Sequence, residues 1–395
     1  MLRFLTVALV ALALAPAAAA DIVRFSTFNA SLNRNFAGQL ISDLSTPANQ
    51  QARNVAETIQ RVRPDVILIN EFDYDAAGTA LRLFQDNYLS VSQNGAAPIV
   101  YPYRFAAESN TGIPSGFDFN NDGVVGGPDD AYGFGFYPGQ FGMAVYSMHP
   151  IQTAGIRTFQ KFLWKDMPGA MLPDDPATPA PMDWYSPAEL AVFRLSSKSH
   201  WDLPIRIGNN LVHFLTSHPT PPVFDGPEDR NGTRNFDEIR FWADYIAFWR
   251  SGYIYDDQGR RGGLPLGAQF VIAGDQNSDP CDGDSIPGSI QQLLNHPFVN
   301  PFRPPTSAGA VEQDRLQDRI NLTHKCPAEQ DTADFADTAP GNLRADYVLP
   351  SRNMRNMSSG VFWPLMSDPL FRLVGVFPFP TSDHRLVWVD TWMVN

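Results

Sequence analysis

Residues 65–73 read Asp65-Val66-Ile67-Leu68-Ile69-Asn70-Glu71-Phe72-Asp73. A short run of aliphatic residues between polar ones predicts a strand over residues 65–71, with a carboxylate delivered at its end. Just before it, Gln50–Val62 carries Ala52, Val55, Ile59 and Val62 at helical spacing, and Pro64 stops that helix. The pattern recurs in both directions. Residues 22–29 alternate as a strand and end on Asn29. Residues 141–147 form a strand closed by His149-Pro150. Residues 211–217 deliver His218, and residues 269–273 deliver Gly274-Asp275. Late strands are predicted at 345–349 and 386–392, and a helix over 235–250 with Phe236, Ile239, Ala243 and Ile246 on one face. Strands with intervening helices, and polar residues at strand ends, predict an α/β chain with a site on the rim of its sheets.

The ends and the composition narrow the class. Residues 1–20 have Arg3, then an apolar run, then Ala18-Ala19-Ala20, which is the pattern of a cleaved signal peptide. The mature chain is then expected to be one catalytic domain, residues 21–395, secreted or periplasmic. No later run has the eighteen consecutive apolar residues of a membrane span. The Pro-rich residues 168–187 and the acidic residues 332–340 read as surface insertions. A net charge of −13 weakens a nuclease reading without removing it, because a non-specific nucleic-acid binder usually carries a basic face. Cys281 and Cys326 are the only cysteines. Secretion permits a disulfide between them; two separate thiols are the alternative, and a single pair in a secreted chain favours the bridge.

Five segments carry chemistry: residues 28–34, 65–73, 215–219, 273–280, and the pair 344–351 with 382–385. Each alone is a common tetrapeptide or turn. In this order, each at a strand terminus, they fit phosphate ester hydrolysis. That reaction needs charge neutralised on the non-bridging oxygens, a water in line and a stabilised leaving oxygen. Glu71 is a hard oxygen ligand suited to Mg²⁺ or Mn²⁺. Asp275 suits water activation, with Asn277 beside it. His218 and His384 suit hydrogen bonding to phosphoryl oxygens, with Asp346 orienting His384.

This set resembles the endonuclease/exonuclease/phosphatase superfamily, which includes pancreatic-type deoxyribonucleases, abasic-site endonucleases, bacterial sphingomyelinases and inositol polyphosphate phosphatases. The resemblance spans residues 22 to 392 and rests most on Asn70-Glu71, Gly274-Asp275-Gln276-Asn277 and Ser382-Asp383-His384. Gln276 departs from the family, lying between two functional positions. The resemblance implies a four-layered α/β sandwich, two mixed β-sheets packed face to face and flanked by helices. It implies a metal held near Asn29, Glu71 and Asp383, and catalysis by His218, Asp275, Asn277, Asp346 and His384. It also places Gln140 where some relatives contact phosphate.

Two further groups stand apart. Arg230 and Arg234 follow His218 closely and could rim the substrate or pair with nearby acids, as Arg240 is expected to do. Residues 118–129 read D-x-N-x-D-G-x-x-x-x-x-D, the spacing of a calcium loop. Its ligands would be Asp118, Asn120, Asp122, the Val124 carbonyl and Asp129, holding a structural Ca²⁺; a plain Asx turn is the alternative. The leading expectation is a secreted metal-dependent phosphoesterase acting on mono- or diesters, small or lipid-like rather than nucleic acid, with no stable protein partner implied. An extracellular nuclease is the alternative within that chemistry. A catalytically inactive, calcium-stabilised binding domain is the alternative outside it, and the complete residue set argues against it.

Overall fold

The computed structural model describes residues 21–393; the predicted signal peptide, residues 1–20, lies outside them. The strands are β1 (Asp21–Leu32), β2 (Val66–Phe72), β3 (Tyr103–Phe105), β4 (Met143–Ser147), β5 (Arg157–Thr158), β6 (His200–Ile207), β7 (Asn210–Ser217), β8 (Gln269–Asp275), β9 (Ala333–Asp334), β10 (Asn342–Leu343), β11 (Asp346–Pro350), β12 (Arg355–Val361) and β13 (Val387–Met393). A six-stranded sheet has the order β12-β13-β1-β2-β4-β3, a five-stranded sheet the order β11-β8-β7-β6-β5, and β9 and β10 pair as a ribbon. Both large sheets are mixed: β1 and β2 are parallel, as are β7 and β8, while β13 and β11 run antiparallel beside them.

The apolar run of β2 is unbroken because both of its faces are covered. Val66 and Leu68 turn inward with Val23 and Phe25, and meet Val212, Phe214 and Val271 of the other sheet. Ile67 and Ile69 turn outward and meet Ala52, Val55 and Ile59 of the helix Gln50–Val62. On the far side, Leu215, Ile272 and Tyr347 pack outward against Ile239 and Trp242 of the helix Arg230–Ile246. The order helix, sheet, sheet, helix is the four-layered α/β sandwich. The first helix is closed by Asn49, whose side chain accepts the Ala52 N–H, and ends on Arg63 at φ 55° ahead of Pro64.

The second helix departs from its expected bounds of 235–250. It starts at Arg230 and ends at Ile246. Its first turn is polar and carries no apolar periodicity, so the pattern hides it. After Ile246 the chain turns, with Ala247 N–H on the Asp244 carbonyl, and leaves Phe248 and Trp249 exposed. Among the described residues no helix is long and apolar enough to cross a membrane. Cys281 and Cys326 form a disulfide.

The topology gathers one rim. The parallel pairs β1/β2 and β7/β8 end there, and their antiparallel neighbours begin there. Asn29 stands opposite Asn70, and Asp275 stands opposite Asp346. The segment before β13 brings Asp383 and His384 to the same edge.

Candidate active site

The rim holds a cavity of about 1010 Å³ walled by Glu71, His218, Asp275, Asn277, Asp383 and His384. Asn29 and Asp346, 2% and 1% exposed, stand behind this wall. The sheets meet at Asn29, whose Nδ2 donates to Glu71 Oε1 at 3.2 Å and to Asp275 Oδ2 at 3.1 Å. Asn70 adds a second tie, donating to the Ser217 carbonyl and accepting the Asp275 N–H, both at 3.4 Å.

Asp275 is the centre of the polar network. His218 Nε2 lies 3.4 Å and His384 Nε2 lies 3.6 Å from its Oδ2. Burial alone would raise its pKa, yet the histidines and Asn29 hold it well below the usual carboxylate range. His384 Nδ1 lies 2.8 Å from Asp346 Oδ2, which also accepts the Thr332 hydroxyl at 2.8 Å. Burial would lower the pKa of His384, but the Asp346 and Asp275 carboxylates raise it well above the histidine range. His218 goes the other way. Burial, with the Lys198 charge nearby, pushes it down to about 4. The two histidines on one carboxylate are thus shifted in opposite directions. Sequence reasoning gave both to phosphoryl oxygens. In the structure His218 faces Asp275 through Nε2, and its Nδ1 is buried without a hydrogen-bond partner among the described residues.

Glu71 and Asp383 offer two carboxylates to the cavity, and among the described residues no ion pair reaches either one. Burial and the neighbouring Asp383 carboxylate push the Glu71 pKa up to about 7. Two oxygen donors in mutual repulsion, with no ion pair to either among the described residues, fit a hard divalent cation. Of this pair Asn29 reaches Glu71, by the hydrogen bond from its Nδ2, while its Oδ1 accepts the Ser31 N–H at 3.3 Å. Glu71 and Asn277 both take left-handed backbone, φ 57° and 49°, a strain that clusters at functional sites. Asn277 is anchored by its Nδ2 on the Pro219 carbonyl at 3.1 Å.

Other expected site residues lie apart from this network. Gln140 is 2% exposed and does not line the cavity; its amide donates to the Arg34 carbonyl and accepts the Phe136 N–H. It is a loop brace, not a phosphate contact. Arg230 and Arg234 do line the cavity, but Arg230 pairs with Glu228. Arg234 donates to the carbonyls of Leu195, Arg194 and Tyr132. Arg240 pairs with Asp237 and Asp244.

At the expected calcium loop the side chains hold backbone N–H groups, and Asp118, Asp122 and Asp129 are not among the groups of three or more His, Cys, Asp or Glu whose ligand atoms lie together among the described residues. Asp118 accepts the N–H groups of Asp122 and Gly123, Asn120 Oδ1 accepts the same Asp122 N–H, and Asp122 accepts that of Val124, so the loop is a run of Asx turns. Val124 is exposed, and Asp129 turns to the cavity. The neighbouring Asp130 closes the loop, accepting the N–H groups of Phe119 and Gly126, each at 2.7 Å.

Sequence reasoning missed three neighbours of the site. Lys198, one of only four lysines in the chain, is 7% exposed and lines the cavity. Thr332 braces Asp346. Phe335 stands edge-on to His384, ring centroids 5.3 Å apart. A lysine in so lysine-poor a chain was the available signal; the other two sit in an irregular segment that carries none.

A family model described as "Endonuclease/Exonuclease/phosphatase family" matches residues 26–384. No curated protein sequence matches significantly. Among solved structures, the chain is similar to an endonuclease/exonuclease/phosphatase from Beutenbergia cavernae, with 16% identity, TM-score 0.49, and coverage of 94% of this chain and 72% of that one. It is similar to truncated TDP2 of Caenorhabditis elegans, with 14% identity, TM-score 0.43, and coverage of 94% and 97%. It is likewise similar to a beta toxin of Staphylococcus aureus, with 13% identity, TM-score 0.43, and coverage of 93% and 99%.

Proposed function

The chain belongs to the endonuclease/exonuclease/phosphatase family, and on that premise we propose that its rim cavity hydrolyses phosphate mono- or diesters by metal-assisted in-line attack of water. The observation that carries this reading is the convergence of Asn29, His218 and His384 on one anionic carboxylate, Asp275.

A divalent cation, Mg²⁺ or Mn²⁺, held by Glu71 and Asp383 would neutralise charge on the phosphoryl oxygens. The chain's own residues do the rest. Asp275, anionic, orients the attacking water by accepting its hydrogen bond. Asn277 steadies that water from the neighbouring position. His384, held protonated by Asp346, donates to a phosphoryl oxygen as charge builds on it. His218, neutral, keeps Asp275 in place. Asn29 fixes the distance between the Asp275 and Glu71 carboxylates. Export of the protein is supported by the leader pattern at residues 1–20 and by the disulfide, which persists in oxidising compartments.

The test is turnover of bis-p-nitrophenyl phosphate and p-nitrophenyl phosphate by the purified protein. Activity should vanish in EDTA and return with Mg²⁺ or Mn²⁺. Asp275→Asn should lose about a hundredfold or more in kcat while keeping the wild-type circular dichroism spectrum. Full turnover after exhaustive chelation, or a wild-type rate in the variant, overturns the reading.

A further inference from the structure

We propose that the substrate carries a single phosphoryl group on an apolar alcohol, and that the cavity beyond the catalytic wall receives that alcohol. This names a substrate class for the site above and rests on its reading as a phosphoesterase.

Size is the first observation. Pockets for organic ligands run to roughly 300–1,000 Å³. At about 1010 Å³ this cavity is far larger than one phosphoryl group needs, so the remainder belongs to what the phosphate is attached to.

The walls state what that is. Phe119, Tyr185 and Phe193 line the cavity and are each more than nine-tenths buried, with Phe193 packed 4.6 Å from both of the others. Phe335 carries the apolar wall up to His384. Phe134 and Phe224 line the same cavity and are 47% and 84% exposed. Solvent-exposed phenylalanines lining the same cavity as buried aromatic rings mark a binding surface.

Charge supplies the third observation. Four cationic side chains line the cavity, counting His384, whose neighbouring carboxylates hold its pKa well above the histidine range. Arg230 is neutralised by Glu228, and Arg234 is spent on backbone carbonyls and stacked over Phe193 at 4.9 Å. Lys198 remains, with no hydrogen bond or ion pair to its ammonium among the described residues, in the field of the Glu238, Glu71 and Asp275 carboxylates. Asp129 and Asp284 line the walls as well. Lys198 and His384 are the two cations left for the substrate, enough for one phosphoryl group. A nucleic-acid strand or a polyphosphate needs a cation for each repeat of charge, and here it would meet acids instead.

Burying a methylene contributes about fourfold in affinity. The experiment is calorimetric titration of the Mn²⁺-loaded protein with methyl-, butyl- and octylphosphonate, which cannot be hydrolysed. Affinity should rise at least about tenfold from methyl to butyl and again to octyl. In Phe335→Ser and in Phe224→Ser the octyl-to-methyl ratio should shrink several-fold; two variants on separate segments guard against one failing to fold. Equal affinity for the three phosphonates, or tighter binding of a short oligonucleotide than of octylphosphonate, overturns the proposal. Turnover of bis-p-nitrophenyl phosphate with no chain-length dependence would sink this inference alone. Chain-length-dependent binding without metal-dependent turnover would sink the hydrolysis reading and leave the apolar site standing.

Discussion

Asp346 Oδ2 lies 2.8 Å from His384 Nδ1, both side chains almost wholly buried, on strands that belong to different sheets or lead into them. A charge-assisted bond in that setting fixes both the ring's orientation and its protonation. Asp346→Asn keeps the shape and removes the charge. It should lower kcat about a hundredfold and leave KM within a few-fold, because Asp346 touches His384 and not the ester. Steady-state kinetics separate the two; an unchanged kcat would mean that His384 works without its carboxylate.

Glu71→Gln tests the cation. Losing one of two carboxylate ligands should shift the Mn²⁺ activation curve at least about tenfold to higher concentration. Saturating metal should recover part of the rate. An activation midpoint identical to wild type would remove Glu71 from the ligand set.

The loop at residues 118–130 makes a sharper claim about two adjacent residues. Asp130 is 2% exposed and accepts two backbone N–H groups, whereas Asp129 is exposed. Asp130→Ala strands two donors and should cost on the order of 2 kcal/mol or more; Asp129→Ala should stay within about 0.5 kcal/mol. Urea denaturation of both variants decides it, and equal midpoints would contradict the hydrogen-bond assignment.

Below the active site, Asp331 sits 4% exposed among Asp279, Asp282 and Asp314. Burial and those carboxylates push its pKa up to about 10. The folded value lies above the unfolded one near 4. The folded chain therefore holds a proton that the unfolded chain releases, and this group's contribution to stability declines as pH rises from about 4 towards 10. Asp331→Asn removes that decline. The variant should melt higher than wild type at pH 8, by roughly 2–4 °C for each kcal/mol regained, with a smaller difference at pH 5. Parallel melting curves across this range would refute it.

Much of the frame was legible because its signals are local. The four aliphatic residues of β2 and the helical spacing of Ala52, Val55 and Ile59 each sit within one segment, and the polar residue at each strand end follows directly from it. Asp275, Glu71 and His384 could be read for the same reason. What failed depends on the direction of a side chain or on tertiary closure. Spacing alone cannot say that Asp130, not Asp129, folds back over residues 119–126, nor that Gln140 braces Arg34. The first turn of the helix Arg230–Ile246 is held by contacts with the preceding loop, Asn231 on Asp225 and Val223. Thr332 and Phe335 reach the site from an irregular stretch without periodicity.

The bonds from Asn29 to Asp275 and from Asn70 to Ser217 cross between the two sheets, so neither sheet owns the chemistry. A strand advances about 3.3 Å per residue, and a slip of one sheet over the other by even half that distance breaks both bonds at once. Activity is thus a vernier on the seating of the sandwich. A loosened protein that keeps all its strands, but lets the layer of Phe25 and Phe214 relax, would fall silent while still looking folded.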